Sequence, residues 1–222
     1  MNRYLAELVA TFTLCFVGAG SIILDAHTNG ALGLVGIALA HGLALSVAIS
    51  AIAATSGGHV NPAVTIGFLV TGKISPKDAG GYILFQLLGA SIAGFALRAM
   101  YPAAGIAATH LGTPALGPGV GVGQGIVIEA LMTFFLVFAV WGTAVDPRAP
   151  KIGGFGIGLT VAFDILCGGP LTGAAMNPAR AFGPALAAGF WDAHVVYWIG
   201  PILGGIAAAL LYQALFLPAE ER

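Results

Sequence analysis

"GGHVNPAV" occupies residues 57–64. Pro bars the residue before it from helical geometry, so Asn-Pro normally marks a surface turn. Here the pair stands between two apolar runs, 37–54 before it and 64–70 after it. Much later "AAMNPARA" (174–181) breaks apolar sequence in the same way. Asn is a favoured helix N-cap and Pro a favoured first helical residue. Asn61-Pro62-Ala63 and Asn177-Pro178-Ala179 therefore read as the starts of two short helices, not as turns between domains.

Composition says where these breaks lie. The chain has 222 residues, of which 58% are hydrophobic and 8% charged. A soluble domain carries about 25% charged residues, so this is a membrane protein. The formal net charge of -1 gives no basic surface for nucleic acid. Cys15 and Cys167 fall inside apolar segments, which argues against a disulfide framework and against a metal site. Arg3 followed by an apolar run resembles a signal peptide, but Glu7 interrupts the run and the segment has a partner later in the chain.

A bilayer core needs about 20 apolar residues per helix. Six segments qualify, at 4–24, 31–54, 78–101, 124–145, 152–170 and 194–217. The segments 62–71 and 178–188, each behind an Asn-Pro, are too short to span. Arg3, Lys73, Lys77, Arg148, Lys151 and Arg222 are six of the eight basic residues, and six spans put them all on one side. The positive-inside rule makes that side, with both termini, cytoplasmic. The cell membrane is the expected location. Arg98 sits near an outer helix end and can snorkel.

The halves repeat. "AELVATF" (6–12) returns as "IEALMTF" (128–134), "SGGHVNPAVTIG" (56–67) as "TGAAMNPARAFG" (172–183), and "YILFQLLG" (82–89) as "YWIGPILG" (197–204). Each half holds three spans and one short segment. Three is odd, so the second copy starts on the opposite side of the bilayer. The expected architecture is an all-α membrane protein with six transmembrane helices and two re-entrant half-helices. It is a single domain, 1–222, of inverted repeats 1–101 and 124–217. Such repeats build transport proteins with a site near the midplane. Irregular backbone survives at that depth only when buried in protein or lining a watery cavity. Each Asn oxygen can cap its own helix, leaving its NH2 as a donor to the cavity beside a positive helix end.

The paired Asn-Pro-Ala motifs, the repeated Glu-x3-Thr-Phe and the 3+3 plan resemble the aquaporin (major intrinsic protein) family across nearly the whole chain. The resemblance implies a water channel, a homotetramer with one pore per subunit, and no cofactor. It also implies a four-residue filter at fixed spacings from the asparagines. Here those positions are His41, Ile165, Ala174 and Arg180. A buried Arg is a functional candidate by default, and its guanidinium needs backbone carbonyls as partners. The spacing turns His41, otherwise read as a core histidine, into a pore residue that donates or accepts according to its tautomer. Strict water channels resemble Phe-His-small-Arg at these places. This chain has His on the second span and Ile on the fifth, similar to the plant tonoplast branch, which raises ammonia as a second permeant. Glycerol facilitators, the alternative within the family, usually carry Asp directly after the filter Arg, where this chain has Ala181.

The other marked residues follow. Glu7 and Glu129 read as loop supports, with a carboxylate pair as the alternative. Thr11 and Thr133 should bond their own helices. His59 should line the inner pore, or else be a plain loop residue. His110 reads as a solvated loop residue, with contact to the filter as the alternative. Asp164 reads as a hydrogen-bonded residue near the outer end of its helix, with a pore residue as the alternative. Cys167 should point away from the lumen, and Tyr4, Tyr101, Trp191 and Tyr212 should sit at the interfaces. Two other classes compete: an alternating-access carrier, which inverted repeats also build, and a membrane enzyme, for which no catalytic or metal-ligand spacing speaks.

Overall fold

A computed structural model describes residues 1–150 and 152–221. Lys151 and Arg222, two of the cations used above for orientation, lie outside the described residues. Among the described residues are six helices long and apolar enough to cross a membrane. They are α1 (Asn2–His27), α2 (Gly33–Ser56), α4 (Pro76–Met100), α6 (Val122–Val140, continued to Val145 by a π-helical turn), α7 (Phe155–Thr172) and α9 (Val196–Leu215). The two short helices are α3 (Pro62–Val70) and α8 (Pro178–Ala188), and α5 (Ala103–Thr109) lies in the long loop between α4 and α6.

Packing is matched between the halves. α1 packs on α4 and α2 as α6 packs on α9 and α7, while α3 lies against α9 as α8 lies against α4. α2 and α7 pack on each other. Small residues permit this closeness, as expected where helices pack in lipid. A Cβ at Gly89 would lie 2.2 Å from the Leu8 carbonyl, and one at Gly204 1.9 Å from the Ala130 carbonyl. Both glycines end the matched segments "YILFQLLG" and "YWIGPILG".

The breaks are built alike. α2 stops at Gly57 and α7 at Gly173, both left-handed. The chain then runs through left-handed Val60 in one loop and left-handed Ala174 and Met176 in the other. Such conformations cost a non-glycine residue about 1–3 kcal/mol, so something must hold them. Buried carboxylates do. Glu7 accepts from His59 N (3.0 Å), Val60 N (2.6 Å), the Ser56 hydroxyl (2.7 Å) and Gln86 Nε2 (2.8 Å). Glu129 accepts from Ala175 N (3.0 Å), Met176 N (2.7 Å) and the Thr172 hydroxyl (2.7 Å). Tyr82 and Tyr197 brace the same loops by donating to Ser56 O and Thr172 O.

The candidate pore and its constriction

Asn61 and Asn177 have extended backbone and cap their helices: Asn61 Oδ1 accepts from Ala63 N, and Asn177 Oδ1 from Ala179 N and Arg180 N. Pro62 and Pro178 take the first helical position, where a missing N–H costs nothing. Each amide NH2 then crosses to the opposite loop. Asn61 Nδ2 donates to Met176 O at 2.8 Å, and Asn177 Nδ2 to Val60 O at 3.0 Å. An amide nitrogen carries two donors, so each asparagine keeps one N–H beyond this bond. Both residues line a narrow central cavity.

Apolar side chains make most of the cavity wall, among them Leu14, Leu45, Val64, Leu136 and Val161. His41, Ala174, Arg180 and His59 also line it. His41 is shared with a second cavity, which Ile165 borders, and His59 with a third, which Arg3, Lys73 and Tyr82 border. Three spaces thus meet in a row, and the two histidines mark the junctions. All four residues predicted for the filter are under 5% exposed; Ala174 and Arg180 share the central cavity with His41, and Ile165 shares the second cavity with it.

Arg180 differs from expectation in its partner. Its Nε donates to His41 Nε2 at 3.3 Å, and its Nη1 is buried with no protein partner among the described residues. The expected backbone carbonyls are replaced, at Nε, by a ring nitrogen. The tautomer of His41 follows. Its Nδ1 lies 2.9 Å from the Ile37 carbonyl, which only accepts, so Nδ1 carries the proton and Nε2 offers the lone pair. Gly18 makes room for this ring, since a Cβ there would stand 2.5 Å from His41 Cδ2 and Nε2.

Other residues divide. Thr11 and Thr133 bond back to Glu7 O and Glu129 O within their helices. The two carboxylates are engaged with separate loops and do not form a pair. His110 is exposed and stacks on Phe190 at 3.9 Å, away from the constriction. Cys167 is exposed and outside the three cavities. Asp164 corrects the reading above: it lies mid-helix in α7, is 1% exposed, and its Oδ2 has no hydrogen-bond partner among the described residues. Thr65, Gln86, Ser56, Thr172, Tyr82 and Tyr197 were missed by sequence reasoning. The tyrosines could have been found, because they recur at one position of a repeated segment.

Comparison with known proteins settles the family. The sequence model described as Major intrinsic protein matches residues 1–212. The chain belongs to the major intrinsic protein family. It is 46% identical to Aquaporin TIP4-4 of Zea mays, over 98% of this chain and 87% of that one. It is 44% identical to Aquaporin TIP2-1 of Arabidopsis thaliana, over 100% and 90% of the two chains. Among solved structures it resembles the aquaglyceroporin from Plasmodium falciparum, with a TM-score of 0.82 and 25% identity over 96% of each chain. This member of the family is a multi-pass membrane protein.

Proposed function

We propose that this chain is a passive water channel that excludes ions and protons and also passes ammonia. The observation that carries the reading is the reciprocal asparagine pair, each with a spare N–H, in the wall of a narrow apolar cavity. Two donors and two positive helix ends at one point bind the oxygen of a passing water and oppose cations. Held by its oxygen, that water points its hydrogens outward and cannot relay a proton as part of a reorienting chain.

His41, Ile165, Ala174 and Arg180 form the filter in this reading. Arg180 Nη2 is the donor for the permeant, since it has no protein partner among the described residues and, unlike Nη1, is not closed off. His41 Nε2 is already engaged by Arg180, so it does not take a proton from ammonium at the mouth. Water and NH3 both offer a lone pair to Arg180, and NH3, the less polar, gains more from the wall at Ile165. Glycerol is the second reading, raised by the likeness to an aquaglyceroporin. The contact between His41 and Arg180 and the Ala181 after the filter Arg speak against it. A carrier would need acids free to couple ions at the midplane, whereas Glu7 and Glu129 are occupied by loop donors and Asp164 lines none of the three cavities.

The same proposal takes 1–222 as one channel domain of inverted repeats, 1–101 and 124–217, supported by the matched packing of the halves. It takes the assembly as a homotetramer in the bilayer of the cell membrane, with both termini cytoplasmic on the side of Arg3 and Lys73. Stopped-flow of proteoliposomes under osmotic and ammonium gradients tests the permeants. Fast, non-saturating osmotic water flux without proton current is expected. Flux that saturates and follows a proton gradient would point to the carrier instead.

A further inference from the structure

Thr65 and Gln86 lie outside the cavity wall, yet both connect to His59. Gln86 Nε2 donates to Glu7 Oε2 at 2.8 Å and to Thr65 Oγ1 at 3.1 Å. The Thr65 hydroxyl lies 3.0 Å from Asn61 O, its i−4 carbonyl, to which it donates as Thr11, Thr71, Thr133 and Thr160 do to theirs. With its single hydrogen used and one lone pair taken by Gln86, Thr65 Oγ1 has one lone pair left. His59 Nδ1 lies 3.1 Å from it.

We propose that Thr65 and Gln86 are positioning residues that lock His59 as the Nδ1–H tautomer, so that Nε2 presents a hydrogen-bond acceptor to the inner lumen. With Thr65 donating along its own helix as its fellow threonines do, Nδ1 is left to supply the proton of the third bond. His59 Nε2 has no protein partner among the described residues and is not sealed from the cavities His59 lines. Phe68 at 4.2 Å and Tyr82 at 4.9 Å hold the ring.

The other half of the chain is an internal control. At the positions matched to His59, Thr65 and Gln86, the repeated segments carry Ala175, Ala181 and Pro201. All three polar residues are lost together, while the Glu clamp, the tyrosine brace and the Asn cap are kept. A trio that varies as a unit between two copies of one plan acts as a unit. Its role rests on the channel reading: a water leaving the asparagine pair toward the inner side points a hydrogen away from the centre, and an acceptor there receives it. The opposite tautomer would put a donor in its path.

The test is solid-state NMR of the full-length protein in lipid bilayers, labelled with 15N-histidine and with His59 assigned by His59→Ala. The expected spectrum shows Nδ1 of His59 protonated and Nε2 bare. Thr65→Val and Gln86→Leu are expected to shift or split those signals, leave His41 unchanged, and lower osmotic water permeability about twofold to fivefold, the loss of one hydrogen bond's worth of wall affinity. A protonated Nε2 in the unsubstituted protein overturns the proposal, even if both variants fail to fold. So does an Nδ1–H signal untouched in both variants. Absence of water flux through the unsubstituted protein would instead overturn the channel reading, and the tautomer measurement does not depend on it.

Discussion

Asn61 and Asn177 each donate to the carbonyl of the residue that precedes the other, Met176 O at 2.8 Å and Val60 O at 3.0 Å. The two bonds therefore tie the re-entrant loops together at left-handed Val60 and Met176. They fix each amide plane as well, so the spare N–H of each asparagine has a set direction and not a rotating one.

Replacing Asn177 by Ala removes the cap of α8 and the tie to Val60. The cap is worth ~1 kcal/mol and the hydrogen bond about as much. Stability in detergent should fall by roughly 2 kcal/mol on that sum. Asn177→Asp keeps the capping oxygen but loses the donor and sets a negative charge between two positive helix ends. Cation current should then appear in bilayer recordings. A variant that stays electrically silent would place the cation barrier elsewhere.

The Glu clamps offer an unequal pair. In Glu7→Gln or Glu129→Gln an NH2 replaces one acceptor oxygen and faces buried N–H donors. Each donor left unsatisfied costs about 1–3 kcal/mol. Glu7 serves four donors and Glu129 three, the difference being Gln86. Glu7→Gln should be the more damaging in denaturant titrations of the purified protein. Equal losses would mean that Gln86 adds nothing to the clamp.

Gly18 matters through its packing against His41. An alanine there meets the His41 ring at 2.5 Å, and the ring must move. The displaced ring can move only into the lumen it borders, and water permeability should drop by roughly tenfold, which ~1.4 kcal/mol of added barrier supplies. Adding His41→Ala should relieve the clash and restore flux in the double variant. If Gly18→Ala alone conducts normally, His41 does not border the path.

In the loop after α6, Arg148 forks onto Asp146 with Nε and Nη2 and also donates to Phe216 O. Those bonds hold the Asp146 carboxyl well below the ordinary carboxylate range. A depressed value stabilises above the ordinary pKa of 3.8 and is lost only as pH falls through the lowered one. Hydrogen exchange in residues 146–150 should stay slow from neutral pH down through the usual carboxylate range, then rise in stronger acid. Arg148→Ala should bring that loosening up to the ordinary range. An unchanged profile in the variant would mean that the fork does not pin this loop.

The fold was largely legible because it rests on length and repetition. The expected spans 4–24, 78–101 and 194–217 become Asn2–His27, Pro76–Met100 and Val196–Leu215, and the expected 178–188 is Pro178–Ala188. The candidate site was legible where spacing from an Asn-Pro fixes a position, and illegible where side chains meet across the fold. Nothing in "ALAHGLAL" says that the His41 ring fills the space left by Gly18 or accepts from Arg180. Asp164 was misread for a different reason. The apolar span 152–170 puts it near a helix end, whereas the helix runs on to Thr172, which leaves it mid-helix with Oδ2 unpartnered.

The filter reading makes the sharpest claim about permeants. Ile165 borders the outer cavity beside His41, while Arg180 supplies the polar contact on the other side of the junction. An apolar wall costs water a hydrogen bond that it costs NH3 less to forgo. Exchanging the wall for a polar ring, Ile165→His, and the ring for an apolar one, His41→Phe, should therefore favour water over NH3. The double variant also frees Arg180 Nε from its acceptor, so the guanidinium gains a second donor for a passing oxygen. The ratio of NH3 to water permeability should fall by about tenfold, which asks for only ~1.4 kcal/mol of changed preference at the constriction. Parallel stopped-flow under ammonium and osmotic gradients reads that ratio directly. Were the two proteins to share one ratio, selectivity would not be set at His41 and Ile165, and the water channel would stand without its filter.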